Sequence, residues 1–280
     1  MKVGELRVLL EAHGLAPQWR FGQNFLIDPA LLAAIPADAG VQPGEAVLEV
    51  GPGVGSLTRG LLDAGARVCA VEIDHGLAAL LRDRFAAELA DGRLILVEGD
   101  VLAPAEAFHP EVEAWWQAQE AAPRVVANLP YAISGPFLAR LPGRPLAGAT
   151  LLLQREVAVK AAGPTDGGEW SPLALRLHLA FETQVGRRLP PEVFWPRPQV
   201  QSAFLHLTPR ADAPPAPALE ALAGVLRPAF AQRRKRLLGR LHAAGFGDWA
   251  AELEGLGVAV EARPGEVEPG LWRAALDRLS

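Results

Sequence analysis

The sequence predicts an α/β protein, a mostly parallel sheet covered on both faces by helices, followed by a small all-helical domain. Short apolar runs recur at regular spacing along the first two hundred or so residues, with helical patterns between them. Four prolines within 209–217 then mark a boundary, beyond which the periodicity is helical. The expected division is a domain over 1–211 and a second over 212–280. A chain of 280 residues, half of them hydrophobic, can bury a core for one large domain and one small one.

Residues 4–15 (GELRVLLEAHGL) are expected as a short amphipathic helix closed by Gly14. In Phe21–Pro29 (FGQNFLIDP), Gln and Asn stand among apolar residues, which suits a segment folded over something. Asp28 before Pro29 also reads as a helix cap, and both readings can hold together. Val47–Val50 is the first main strand. The turn Gly51-Pro52-Gly53-Val54-Gly55 and a helix over Ser56–Asp63 follow it, an arrangement that lets a ligand approach the backbone closely. Val68–Val71 is the second strand and ends at Glu72, 21 residues after Gly51. At that spacing a carboxylate can accept both hydroxyls of a ribose, in charge-assisted bonds worth roughly 1.5–3 kcal/mol each.

Asp74 is expected to cap a helix with Leu77, Leu80, Leu81 and Phe85 on one face. Leu94–Val97 is the third strand, leading to Gly99-Asp100, and 103–123 is a less regular insertion whose Trp115 and Trp116 are assigned to packing. Arg124–Ala127 is the fourth strand and Ala149–Leu153 the fifth, which runs through Gln154-Arg155-Glu156 into a helix. Over 171–181 the alternation of Leu175, Leu177, Leu179 and Phe181 suits a strand, whereas Ser171-Pro172 suits a helix start. We expect a helix, then a strand near 182–189. The proline-stiffened stretch 190–204 presents Phe194 and Trp195, as core closure or as a stacking platform, and enters a last strand through Leu207.

In the second domain Ala229–Leu241 (AFAQRRKRLLGRL) is expected to be helical. Phe230, Leu237, Leu238 and Leu241 would share one side, with Arg233, Arg236 and Arg240 as a neighbouring stripe. The four consecutive cations Arg233, Arg234, Lys235 and Arg236 are either a solvated face or a phosphate contact. Net charge is −5, unevenly spread: residues from Pro214 onward carry nine Lys and Arg against eight Asp and Glu, and the preceding 213 residues carry 18 against 24. Any nucleic acid would therefore be held by local patches rather than by the field of the whole chain.

The single Cys69 lies in an apolar run, excludes an internal disulfide and fits a reducing compartment. The six His show no ligand-like pairing, so no metal is expected. No run approaches a membrane span and the start MKVGELR lacks a signal-peptide core, which points to a cytoplasmic protein with no membrane partner.

The end of the fourth strand, Asn128-Leu129-Pro130-Tyr131, is the most informative stretch. Asn128 offers a side-chain carbonyl, Pro130 holds Leu129 extended so that its carbonyl can face outward, and Tyr131 offers an aromatic face. Tyr131 is also the only Tyr in the chain, beside ten Phe and seven Trp. Two acceptors and a stacking plate suit a planar base with an exocyclic amine, such as adenine. The same letters also suit an ordinary strand-to-loop turn.

Taken in order, Glu49-Val50-Gly51-Pro52-Gly53-Val54-Gly55, Glu72, Gly99-Asp100 and Asn128-Leu129-Pro130-Tyr131 end four successive strands. That set resembles the Rossmann-like class I S-adenosylmethionine-dependent methyltransferases, and the Asn-Leu-Pro-Tyr stretch narrows it to adenine-N6 enzymes. With FGQNFLID upstream and AFAQRRKRL downstream, the chain resembles the KsgA family of small-subunit (16S) rRNA adenine N6,N6-dimethyltransferases from about Phe21 to Leu241.

The resemblance implies S-adenosyl-L-methionine as cofactor, the small ribosomal subunit and its 16S rRNA as partner, and dimethylation of two adjacent adenosines near the 3′ end of that RNA. It also implies a role in small-subunit biogenesis and a monomeric enzyme. Asn24 and Leu26 would close over the cofactor, Gly51 would lie against its methionine part, Glu72 would hold its ribose and Asp100 would read its adenine. Asn128 would border cofactor and target, with Leu129, Pro130 and Tyr131 completing the catalytic stretch. Phe194, in the F-x-P-x-P-x-V loop, would stack on the target base with Tyr131, and Arg233, Arg234, Lys235, Arg236 and Arg240 would contact RNA.

Three positions depart from the family pattern: Gln18-Trp19-Arg20 where paired basic residues are usual, Gln201 before Ser202 where Asp is usual, and Trp170-Ser171-Pro172-Leu173 in the usual Gly-x-Leu-Ser region. Rival readings are a large-subunit (23S) rRNA adenine-N6 methyltransferase of the antibiotic-resistance type, a ribosome-assembly factor acting mainly by binding, and a nicotinamide oxidoreductase.

Overall fold

The computed structural model describes residues 1–18, 22–104, 107–165 and 167–279. Trp19, Arg20 and Phe21, which enter the motif comparison above, lie outside the described residues. The chain forms two compact units. The first comprises Met1–Arg140, Pro145–Ala158 and Gln184–Thr208, and the second Leu141–Arg144, Val159–Thr183 and Pro209–Ser280. The second unit therefore takes in 159–183, which a boundary at 211/212 leaves with the first.

Nine strands are described: β1 (Phe25–Leu26), β2 (Ala46–Val50), β3 (Arg67–Glu72), β4 (Leu94–Glu98), β5 (Arg124–Asn128), β6 (Gly148–Gln154), β7 (Phe181–Leu189), β8 (Phe194–Trp195) and β9 (Ser202–Pro209). Seven of them form a sheet in the order β4-β3-β2-β5-β6-β9-β7, and β1 pairs with β8. β4, β3, β2, β5 and β6 are mutually parallel, while β9 runs antiparallel to β6. The five strands expected between 47 and 153 are all present, each longer by a residue or two. The inner strands are buried on both sides, as a parallel sheet under helices requires, and every residue of β2 is buried, whereas at the edge strand β4 Ile95 is exposed.

The order reverses between β2 and β5. The chain builds outward from β2 through β3 to β4, then returns to lay β5 on the other side of β2. At such a switch point the loops after the two central strands diverge and leave a crevice at their carboxyl ends. The glycine turn follows β2, and Asn128 closes β5.

The local signals behave as their chemistry predicts. Asp28 accepts from the Ala30 and Leu31 amides with Pro29 in the first helical turn, and Asp74 accepts from Gly76 and Leu77. Leu77, Leu80, Leu81 and Phe85 are buried as expected. The first helix is shorter than expected, Val3–Ala12, because Gly14 (φ 65°) turns the chain and the Leu15 amide bonds back to the Leu10 carbonyl. The insertion 103–123 contains a helix, Pro110–Gln117, that its irregular composition hides. His109 caps it, Pro110 sits at its start and Glu111 and Glu113 fill its first turn. Trp116 is buried there, stacked on Phe108. Cys69 is fully buried in β3, and burial pushes its thiol up to about 12.

In the second unit Ser171 caps the helix Pro172–Ala180, which settles the ambiguous stretch as helix followed by β7. Trp170 belongs to this unit through its amide bond to the Gly265 carbonyl and its indole bond to Glu268 (3.2 Å). The helices Ala216–Ala231, Leu237–Ala243, Gly247–Gly255 and Pro269–Leu279 bury Leu222, Leu226, Leu241, Leu253 and Trp272.

The helix expected through 229–241 is not formed. It stops at Ala231, and Gln232–Lys235 make a turn in which the Lys235 amide bonds to the Gln232 carbonyl. A helix end leaves carbonyls without intrahelical partners. Arg240, from the next helix, donates to one of them, Pro228 O, at 3.0 Å. Arg240 is thus turned toward the preceding helix end rather than standing in a solvent stripe with Arg233 and Arg236.

Candidate active site

A cleft of about 220 Å³ opens at the carboxyl ends of β2, β3 and β5 in the first unit. Its walls include Asn24 and Leu26 from the amino-terminal segment, the glycine turn, Glu72, Asp100 and the whole Asn128–Tyr131 stretch. Residues more than a hundred positions apart in sequence are thereby brought to one place. Phe194 is the exception among the expected cleft residues.

The glycine turn is shaped by close approach. Gly51 has φ 68°, and a Cβ there would stand 3.2 Å from the Pro130 ring. Gly53 (φ 59°) would place a Cβ 2.9 Å from Phe25. Only residues without side chains let the turn reach this conformation while Pro130 and Phe25 press against it. The buried amide of Gly53 donates to Glu72 Oε2 (3.0 Å), and the Asp74 amide donates to Glu72 Oε1 (2.9 Å). These bonds hold the Glu72 carboxylate at the end of β3 and favour its charged form. Burial works against them more strongly, and its pKa is pushed up from 4.5 to about 7.

Asp100, after β4, accepts from the Leu102 amide (2.9 Å), which fixes its carboxylate at the cleft edge. Glu49 lies within β2, fully buried, with Oε2 lacking any hydrogen-bond partner among the described residues. Burial, and then the neighbouring Glu72 charge, push its pKa up to about 8 against the opposing pull of nearby Thr58. Glu49 lines the cleft; in the sequence it stands in the strand-end motif without an assigned role.

Asn128 donates its Nδ2 to the Asn24 carbonyl (3.1 Å), which makes Oδ1 the acceptor end of a fixed amide. The Asn24 side chain bonds to the Gly22 carbonyl (2.9 Å) within its own segment. The Leu129 amide is tied to the Leu152 carbonyl of β6 (3.1 Å), and its side chain is buried. Tyr131 begins a single 3-10 turn, Tyr131–Ile133, with its ring half-buried in the cleft wall. Its hydroxyl meets Ser202 Oγ at 3.0 Å.

The amino-terminal segment is latched over the site by polar bonds. Gln18 and Gln23 both donate to Asp74 Oδ2, at 2.7 and 2.9 Å, so the acid that caps the following helix also holds this segment. The odd Gln23 and Asn24 among apolar residues therefore have partners, Gln23 on Asp74 and Asn24 within its own segment.

Phe194 is placed differently from the stacking expectation. β8 pairs with β1 in the register Leu26↔Phe194 and Phe25↔Trp195. Successive strand residues point to opposite faces, and here Phe194 turns inward. It is 3% exposed, in the same buried cluster as Leu32, Leu189 and Phe204. Core closure, the alternative open in the sequence, is what the ring does here.

In the second unit Arg233, Arg234, Lys235 and Arg236 are exposed on the turn before Leu237–Ala243, and Arg236 pairs with Glu261 at 2.6 Å. Among the described residues no group of His, Cys, Asp and Glu could hold a metal ion, and no helix is long and apolar enough to cross a membrane.

The cleft's donor set can be tested against an adenosyl sulfonium. Its ribose needs an acid, its purine an edge acceptor and its methionine a backbone groove. Glu72, Asp100 and the side-chain-free Gly51 can supply these, and Glu49 Oε2 is a buried polar atom on the cleft wall without a partner among the described residues. The residues fit the group.

Comparison with known proteins agrees. The chain is 40% identical over 239 residues to ribosomal RNA small subunit methyltransferase A of Magnetococcus marinus, covering 84% of this chain and 82% of that one. It is 36% identical to the protein of the same name from Opitutus terrae, covering 98% and 97%. Among solved structures, the 23S rRNA methyltransferase ErmE superposes with a TM-score of 0.65 at 29% identity, covering 91% of this chain and 99% of that one. A dimethyladenosine transferase from Plasmodium falciparum superposes at 0.68 and 22% identity, covering 91% and 97%. The family model described as ribosomal RNA adenine dimethylase matches residues 16–273, which takes in the strand-end motifs, the cleft they form and the helical region beyond. The chain belongs to the ribosomal RNA adenine dimethylase family.

Proposed function

We propose that this methyltransferase uses S-adenosyl-L-methionine to dimethylate the N6 amines of two adjacent adenosines in small-subunit (16S) rRNA. The observation that carries the reading is the Asn128–Tyr131 stretch, held at the cleft by Asn24, Leu152 and Ser202 beside Gly51, Glu72 and Asp100. The family match removes the oxidoreductase reading. Relatives named for the small subunit are more similar to this chain than the large-subunit enzyme is, which supports the 16S substrate.

Glu72 holds the ribose of the cofactor, Asp100 its adenine amine, Gly51 its methionine part, and Asn24 and Leu26 cover it. The bound cofactor supplies an electrophilic methyl group. The target adenine, whose amine lone pair is delocalised into the ring, is taken out of its stack at a cost of a few kcal/mol. Stacking on Tyr131 returns roughly 1–3 kcal/mol. Asn128 Oδ1 and the Leu129 carbonyl accept the amine hydrogens and favour a pyramidal nitrogen, whose lone pair then points at the methyl group. Both acceptors are fixed before the reaction, so they stabilise the positive charge developing on nitrogen without reorganising. No strong base is required, because the methylated nitrogen sheds its proton after attack. The buried Leu129 side chain limits the room left for a methyl already transferred.

Arg233, Arg234 and Lys235 contact RNA phosphates. Arg236 shares its charge with Glu261, and Arg240 serves the fold through Pro228. The enzyme acts as a monomer in the cytoplasm.

The test is methyl transfer from labelled S-adenosylmethionine to undermethylated small and large ribosomal subunits, followed by nucleoside analysis. Label recovered as N6,N6-dimethyladenosine from the small subunit is the expected result. Label only from the large subunit moves the chain to the 23S reading, and binding to the small subunit without transfer makes it an assembly factor.

A further inference from the structure

We propose that Ser202 is the positioning residue for Tyr131, its hydroxyl setting the plane of the aromatic ring on which the target base stacks. The inference rests on the proposed role of Tyr131 and goes beyond it in assigning the group that makes the ring a fixed platform.

Tyr131 is poorly held by its own backbone. It lies on one 3-10 turn of three residues that starts at Pro130, a geometry with weak internal bonds. A half-buried phenol so placed can turn about two side-chain torsions unless its hydroxyl is bound. The partner is Ser202 Oγ at 3.0 Å. Ser202 is 1% exposed and opens β9, where it pairs with Gln154 of β6, and β6 pairs in turn with β5 through Leu152 and Asn128. The hydroxyl is therefore carried by the same stretch of sheet that carries the two amine acceptors. The single bond fixes ring and acceptors in one frame, although 71 residues separate Tyr131 from Ser202 in sequence.

The chemistry is matched to the task. A Ser hydroxyl both donates and accepts, so it holds a neutral phenol without adding charge beside a nitrogen that becomes positive. The residue before it, Gln201, brings no charge either, and its carbonyl accepts from the Arg155 amide at the end of β6, which pins the start of β9.

Because Tyr131 is the chain's only Tyr, alkaline difference absorbance reports its ionisation alone, with neither cofactor nor RNA present. Burial holds the phenol above its ordinary value, while the bond from Ser202 pulls it down. Ser202→Ala is expected to move the ionisation upward. An unchanged ionisation means the bond is not made and overturns the proposal.

The second measurement is methyl transfer to small subunits by Ser202→Ala, Tyr131→Phe and the double variant, with cofactor affinity measured alongside. Each single variant is expected to lose roughly 3- to 10-fold in kcat, the worth of one hydrogen bond. The double variant should lose no more than either, and Ser202→Thr, which keeps a hydroxyl, should recover most of the loss. Losses that multiply in the double variant, or a Ser202→Ala protein that loses cofactor affinity equally, overturn the positioning role. A wild-type chain that methylates neither subunit defeats the proposed function instead, and the titration still decides whether Ser202 holds Tyr131.

Discussion

In the strand-end cleft the polar groups are held before any ligand arrives: the Asn128 amide by Asn24, Glu72 by two backbone amides, and Tyr131 by Ser202. On the turn at 232–236 of the second unit, Arg233, Arg234 and Lys235 stand exposed with no comparable frame. The first region suits work that depends on tenths of an ångström and on low-dielectric surroundings. The second suits attraction to phosphates, which depends on charge and salt and tolerates loose geometry. On the proposed function one region would govern rate and the other affinity, so perturbations of the two should be separable.

The largest separation is expected from Asn128→Ala, which removes one fixed acceptor. By analogy with the loss of one preorganised donor, turnover should fall by roughly 10²–10³-fold. Cofactor affinity measured by calorimetry should change only a few-fold. Equal losses in both would make Asn128 a cofactor ligand first and would break the contrast.

Neutralising Arg233, Arg234 and Lys235 together should weaken binding to the small subunit and lower the salt slope by roughly one unit for each phosphate no longer neutralised. A slope measured by titration at several salt concentrations and found unchanged would reduce that run to a solvated face.

The acids of the cleft give a smaller, signed effect. Glu49 and Glu72 are held at about 8 and about 7 in the folded chain against 4.5. The native state thus keeps protons that the unfolded chain has already released. Their contribution is fully present below about pH 4.5 and is lost as pH rises through 7 to 8. The slope is at most roughly 1.4 kcal/mol per pH unit for each proton, and the two adjacent acids titrate as a pair. Urea denaturation of the cofactor-free protein should show this fall, and Glu49→Gln should flatten it. Stability rising across that window would contradict the burial assigned to both groups.

The smallest effect sharpens the second region from inside. Arg240→Ala should cost about 1 kcal/mol of stability through loss of the Pro228 bond and leave the salt slope alone. Arg233→Ala should do the reverse, with stability changed by less than about 0.5 kcal/mol. The check is denaturation and RNA titration on the same two variants.

The same contrast explains what could be read in the sequence. The cleft was legible because its parts sit at strand ends, and strand ends announce themselves: an apolar run stops and Gly, an acid or Asn-Pro follows. The order of those signals alone locates Gly51, Glu72, Asp100 and Asn128. The basic turn was misread as helix because cations three and four apart fit a helical stripe whether or not the backbone is helical. The helix ends where Gln232 leaves helical backbone geometry (φ −131°, ψ 65°), and the carbonyl this exposes is held by Arg240, a bond invisible in a linear pattern.

Phe194 was misplaced for a related reason. A Phe-Trp pair in a strand sends one ring each way, and only the register with Phe25 and Leu26 says which goes inward. Glu49 stands in the strand-end motif of the sequence, but that its Oε2 would be left without a partner on the cleft wall depends on the three-dimensional arrangement around β2. The bonds from Gln18 and Gln23 to Asp74 join residues more than fifty positions apart, and no local signal carries them.

The most direct measurement is single-turnover methyl transfer to undermethylated small subunits, read over a range of subunit concentrations for the wild type, Asn128→Ala and the variant neutralised at 233–235. The account predicts that Asn128→Ala stays slow at saturation with its subunit affinity intact, and that the neutralised variant needs more subunit but reaches the wild-type rate. A neutralised variant that stays slow at saturation, or an Asn128→Ala protein that has lost subunit binding instead of rate, would contradict the division between the cleft and the turn.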